Sequence, residues 1–150
     1  MDSNEVSSNF QSAFRHNPVV ILVEDDDGLR VALGRVLRAS GFATRAYGSA
    51  EALLQDVPAH AADCLVVDLE LPAMSGLDLV ARLRQEGVQT PAVAISARDE
   101  ASVREAVRRR GIERFLGKPF LGSLLVGTVN ELLAGHQPRP CTKGQSPLPQ

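Results

Sequence analysis

Stretches that are apolar at every position alternate along this chain with stretches whose apolar residues recur every three or four positions. Val19-Val20-Ile21-Leu22-Val23, Cys64-Leu65-Val66-Val67 and Ala92-Val93-Ala94-Ile95 are unbroken apolar runs, and Phe115-Leu116 is a shorter fourth. Such runs suit strands buried on both faces, as in a parallel sheet covered by helices. Ala43-Thr44-Arg45-Ala46-Tyr47 carries a charge at its centre, which predicts an edge strand with one side in water. Between these runs, Leu29, Leu33, Val36 and Leu37 mark one helix. Leu77, Val80 and Leu83 mark another, Val103, Ala106 and Val107 a third, and Leu121, Leu125, Val129 and Leu132 the last. Ser49 is placed to cap the helix beginning Ala50-Glu51, with Glu51 at its positive end. Gly41, Gly87, Gly111 and Gly135 each follow a helical segment, where a left-handed residue closes a helix most cheaply. Five strand–helix units in alternation predict a doubly wound α/β sheet.

The two ends of the chain lack this pattern. Residues 1–17 are polar, with Val6, Phe10 and Phe14 spaced by four but without caps, and read as a flexible arm. Residues 136–150 are rich in Pro, Gly and Gln without apolar periodicity and read as a disordered tail, leaving 18–135 as the folded domain.

Composition narrows the class without naming it. With 150 residues the chain has room for one domain. A domain of that size buries roughly 70% of the surface its unfolded chain exposes, enough for a single core. A net charge of −2 gives nucleic acid or an anionic membrane no field to recognise. Two cysteines, Cys64 in an apolar run and Cys141 in the tail, do not make a disulfide framework. The start lacks the basic and apolar regions of a signal peptide, and no run of about 20 apolar residues spans a membrane, so a cytoplasmic protein is expected.

Candidate chemistry collects where the apolar runs end. In an open parallel sheet, ligands bind outside the carboxyl ends of the strands. The first run ends in Glu24-Asp25-Asp26-Asp27, the second in Asp68, the third in Ser96 and the fourth shortly before Lys118. Asp26 and Asp27 read as an N-cap pair. Carboxylates crowded on one rim repel one another unless a cation joins them. Mg²⁺ fits best, because it binds through one or two carboxylates and also coordinates phosphate oxygens. The spaced acidic loop of a Ca²⁺ trap is missing. Lys118 and Ser96 are surplus to a metal site, yet a compact charge and a hydroxyl both suit phosphate.

These strings resemble the receiver domains of two-component response regulators. Ile-Leu-Val-Glu-Asp-Asp at 21–26 looks like the family's first motif, and Val-Val-Asp-Leu-Glu-Leu-Pro-Ala-Met-Ser-Gly at 66–76 resembles its phosphorylation loop. Ile-Ser-Ala at 95–97 and Lys-Pro-Phe at 118–120 resemble its hydroxyl and lysine motifs, all in the family's order and spacing. The resemblance implies a flavodoxin-like (βα)5 fold with strand order 2-1-3-4-5. It implies that Asp68 is the phosphoacceptor and that Glu24, Asp25, Asp68 and the backbone carbonyl of Glu70 hold Mg²⁺. Ser96 would bond a phosphoryl oxygen, and Lys118 would pair with the phosphoryl group. Phe115 would be the buried strand-five aromatic that turns inward on switching. The Lys118-Pro119 bond is expected to be cis.

The implied partners are a sensor histidine kinase or phosphotransfer protein upstream and a protein target downstream, with neither nucleic acid nor membrane. Self-association on phosphorylation is expected through the face formed by helix four, strand five and helix five. A salt bridge between Glu70 and Arg98 would shield the phosphoryl group from water. No output domain follows residue 135, so the expectation is a stand-alone receiver rather than an enzyme with an external substrate. A haloacid-dehalogenase-type phosphatase would carry a second Asp two residues after its nucleophile, where this chain has Glu70. Nucleotide-binding loops are absent. A degenerate receiver would have lost an acidic, hydroxyl or lysine position, and this sequence keeps them all.

Overall fold

The computed structural model describes residues 17–56 and 61–135. The expected arm, the tail, Cys141 and the three histidines lie outside that range, apart from Asn17 at the end of the arm.

Five strands and five helices alternate: β1 Val19–Val23, α1 Asp27–Ala39, β2 Ala43–Tyr47, α2 Ala50–Leu54, β3 Cys64–Asp68, α3 Gly76–Gln85, β4 Ala92–Ser96, α4 Ala101–Arg109, β5 Arg114–Gly117 and α5 Gly122–Gly135. All pairings are parallel, in the order β2-β1-β3-β4-β5, as expected.

β3 and β4 are buried at every residue, and β1 at all but Val19, which is why these strands read as continuous apolar runs. Successive side chains point to opposite faces and so fill two cores. Ile21, Val23, Leu65, Val67 and Ala94 pack with Leu53, Leu79, Leu83 and Val107 from α2, α3 and α4. Val20, Leu22, Cys64, Val66 and Ile95 pack with Leu33 and Leu37 of α1 and Leu125, Val129 and Leu132 of α5. β2 and β5 are the edges. Cys64 is fully buried, and burial pushes its thiol up to about 12.

The helix starts follow local chemistry. Asp26 caps α1 by accepting the Leu29 N–H at 3.1 Å, while Asp27 sits in the first turn against Arg30. Ser49 accepts from Ala52 at 3.0 Å and Ser75 from Asp78 at 3.1 Å. Gly41, Gly87 and Gly111 take the expected positive φ after α1, α3 and α4. Gly135 instead is the last residue of α5.

Leu121 departs further from expectation. It precedes α5, its carbonyl accepts the first helical bonds from Leu124 and Leu125, and its side chain is 74% exposed. The Lys118-Pro119 peptide is cis, and α5 begins only at Gly122, so the apolar period read from sequence starts one residue too early. Gly76 opens α3 where the chain has no room for a side chain. A Cβ there would lie 2.3 Å from the Asp68 carbonyl oxygen and 2.8 Å from Val67 Cγ1.

Candidate functional site

Strand register brings the acids together. Val23 pairs with Val67, so Glu24 and Asp68 emerge side by side, one step beyond the last paired residues of β1 and β3. Ser96 pairs with Gly117, which places Lys118 just beyond the end of β4. Glu24 and Asp68 are each 1% exposed, whereas Asp25 is open to water. One ligand oxygen from each of Glu24, Asp25 and Asp68 lies within 4.8 Å of the others.

Both oxygens of Asp68 are held. The Glu70 backbone N–H donates to Oδ1 at 3.0 Å, and the Lys118 ammonium donates to Oδ2 at 3.3 Å. Lys118 also lies 3.1 Å from Glu24 Oε1. That approach is an ion pair but is off-line for a hydrogen bond, so Oε1 is the buried side-chain oxygen among the described residues that accepts none. The other Glu24 oxygen accepts the Asp26 N–H at 3.1 Å.

Electrostatics follow from this crowding. Burial raises the Glu24 carboxyl pKa, with the Asp68 charge adding to it, and the Asp26 N–H and Lys118 offset only part. Burial alone would lower the Lys118 pKa, but its close contacts with the Glu24 and Asp68 carboxylates outweigh that and raise it. The lysine stays charged. A buried carboxylate oxygen without a hydrogen bond, beside two more carboxylates, is a donor set that a hard divalent cation fits.

Ser96 stands at the rim, fully buried, but its hydroxyl bonds to Glu70 and Arg98 rather than to Asp68. Its Oγ lies 2.5 Å from Glu70 Oε2 and 2.9 Å from the Arg98 carbonyl oxygen, and it accepts the Arg98 N–H at 2.9 Å. The other Glu70 oxygen accepts the Ala97 N–H at 3.0 Å. The expected Glu70–Arg98 salt bridge is therefore replaced. The Arg98 backbone is folded around Ser96, and its guanidinium projects outward to 3.5 Å from Glu100. Phe115 is half-buried rather than buried, with the Arg104 guanidinium 4.5 Å above its ring centroid. Beyond its carbonyl, the sequence suggested for Glu70 only the salt bridge to Arg98. An exposed acid in a loop carries no signal in sequence that its side chain bridges two strand ends.

An open cleft of about 460 Å³ adjoins the site, lined by Asp26, Leu29, Ala97, Lys118, Pro119 and Phe120. Among the described residues, no helix is long and apolar enough to cross a membrane.

Residues 20–130 match the family described as the response regulator receiver domain. The chain is 31% identical over 127 residues to the response regulator protein TodT of Pseudomonas putida, covering 82% of this chain and 56% of that protein. It is 35% identical over 118 residues to the transcriptional regulatory protein PrrA of Mycobacterium tuberculosis, covering 78% and 50%. The chain thus spans about half the length of the curated relatives it matches, and the expectation of a receiver without an output domain gains no support from them. Among solved structures, the non-phosphorylated HemR receiver domain of Leptospira biflexa aligns with a TM-score of 0.74 at 25% identity, covering 83% of this chain and 99% of that one. The BeF3-activated DrrB receiver domain aligns at 0.73 with 19% identity, covering 79% and 99%, a likeness of fold alone.

Proposed function

The chain belongs to the response regulator receiver family of two-component signalling, and from that premise we propose that Asp68 accepts a phosphoryl group from a phosphohistidine on a sensor kinase or phosphotransfer protein. The observation that carries this reading is a buried carboxylate held at both oxygens, with Lys118 at 3.3 Å and two further carboxylates beside it. An Asp68 oxygen attacks phosphorus while the phosphorus–nitrogen bond to the donor imidazole breaks. The bonding pair leaves on that nitrogen. Because the nucleophile is already fixed by Glu70 and Lys118, little reorientation remains to be done at the moment of transfer. Lys118 offsets charge on the moving phosphoryl oxygens, so catalysis is positioning plus electrostatics. Glu24, Asp25, Asp68 and the Glu70 carbonyl would hold Mg²⁺, which when bound neutralises charge on the carboxylates and phosphoryl oxygens. The chain's only reactions in this reading are its own phosphorylation and slow dephosphorylation.

Residues 18–135 act as the receiver unit. After transfer, the Ser96 hydroxyl bonds a phosphoryl oxygen and Phe115 turns inward, altering the face of α4, β5 and α5. That face meets a downstream protein or a second copy of the chain; sedimentation unchanged by phosphorylation would remove the second copy. The phosphodonor protein sits over the cleft beside Lys118 and Phe120 and reaches the start of α5, where Leu121 and Leu124 are exposed.

The decisive experiment is incubation with acetyl phosphate and Mg²⁺, read by intact-protein mass spectrometry. One phosphoryl group is expected on the parent, lost in Asp68→Asn and on chelation with EDTA. Labelling that persists in Asp68→Asn would sink the reading.

A further inference from the structure

Glu70 ties two strand ends together. Its backbone N–H holds Asp68 Oδ1, while its carboxylate takes the Ser96 hydroxyl through Oε2 and the Ala97 N–H through Oε1. A serine hydroxyl has one proton to give. Two acceptors stand near it, Glu70 Oε2 at 2.5 Å and the Arg98 carbonyl at 2.9 Å. The closer, anionic oxygen makes the stronger bond and takes the proton. Ser96 therefore cannot bond a phosphoryl oxygen until Glu70 lets go.

We propose that Glu70 is the positioning residue that restrains Ser96 in the unphosphorylated protein, and that charge added at Asp68 releases the switch by displacing the Glu70 carboxylate. This deepens the phosphoacceptor reading above and rests on it. Transfer turns the Asp68 carboxylate into an acyl phosphate carrying about two negative charges, roughly one more than before, only two residues from Glu70. Like charges at close range repel, and one of the two must move. Asp68 is buried at the end of a central strand, whereas Glu70 is exposed and can turn into water. Its departure frees the Ser96 proton for the new anion, which outcompetes the neutral Arg98 carbonyl. The same movement releases the Ala97 N–H and unties the connection between β4 and α4. Only hydrogen bonds change hands.

The test is a double-mutant cycle read by calorimetric titration with beryllofluoride in the presence of Mg²⁺. Glu70→Ala should tighten binding at least roughly tenfold, the lower edge of what a hydrogen bond to a charged group contributes. In a Ser96→Ala background, where nothing is left to restrain, the same change should give less than about a twofold gain. Equal gains in both backgrounds would mean that Glu70 acts by repulsion alone, and would overturn the proposal. Glu70→Gln keeps the shape and guards against misfolding of the alanine variant; its gain should be smaller and should vanish likewise with Ser96→Ala. By NMR, the Ala97 amide should exchange slowly in the parent and quickly in Glu70→Ala and after beryllofluoride addition. Continued protection after addition would refute the displacement. A parent that does not bind beryllofluoride, or binds it equally as Asp68→Asn, would overturn the phosphoacceptor reading and this inference with it.

Discussion

Replacing Gly76 by alanine tests how tightly the candidate acceptor is built into the sheet. The added methyl would sit 2.3 Å from the Asp68 carbonyl oxygen, where real Cβ atoms stay beyond 3.0 Å, so backbone must give way by about 0.7 Å. The second obstacle, Val67 Cγ1 at 2.8 Å, is a fully packed core atom. Neither neighbour is the free end of a flexible side chain. Asp68 is the last residue of β3, and its peptide continues into the loop that binds Asp68 Oδ1 through Glu70 N–H. Overpacking of this kind costs about 1–3 kcal/mol, which lowers a urea midpoint by roughly 1 M at the m-values of small domains. The displacement also reaches the carboxylate itself, and a misplacement near 1 Å costs on the order of 10²-fold in rate. Gly76→Ala should therefore lose stability by urea unfolding and slow acetyl phosphate labelling far beyond its loss of folded protein. A variant with the parent's midpoint and labelling rate would show that the α3 start does not set the position of Asp68.

Three further outcomes are expected. Ala73 has φ of 60°, a left-handed position that costs a residue with a Cβ about 1–2 kcal/mol. Ala73→Gly should be neutral to mildly stabilising in urea unfolding, and Ala73→Val should destabilise by at least about 1 kcal/mol; the reverse order would refute the strain. Tyr47, the single tyrosine, has its pKa raised above 10.0 by burial first and then by its 2.7 Å hydrogen bond to Asp56. Absorbance at about 295 nm should titrate later in the native protein than in urea, and the stability linked to this group is full below pH 10.0 and falls as pH rises through the folded pKa; a native midpoint at or below the unfolded one would contradict this. Leu124→Glu should slow transfer from a phosphodonor protein while leaving acetyl phosphate labelling unchanged, since the residue is 51% exposed and outside the acid cluster. Equal rates from the protein donor would move the docking surface elsewhere.

What the sequence revealed follows from how each residue is constrained. Glu24, Asp68, Ser96 and Lys118 were legible because each stands where an apolar run stops, and a parallel sheet gathers strand ends on one rim. The edge character of β2 was legible from Arg45. Leu121 was misplaced because periodicity does not register where a helix begins, and the Lys-Pro-Phe turn delays α5 by one residue beyond it. Phe115 was expected to be buried, but β5 is an edge strand and its ring is covered only in part, with Arg104 above it. Glu70 and Arg98 were joined on charge alone. The structure turns both towards other partners, because the Ser96 hydroxyl draws the Glu70 carboxylate inward and folds the Arg98 backbone around itself. Contacts between loop side chains leave no periodic trace.

The rim is assembled from pieces far apart in the chain: Lys118 follows Asp68 by 50 residues, and Glu24 arrives with the first strand. While β5 is still undocked, the polypeptide owns an aspartate but not the ammonium that orients it, and such long-range pairings form late. If Asp68 is the phosphoacceptor, immature or partly melted molecules are thus expected to stay unphosphorylated, so that a signal reaches only chains whose last strand has come home.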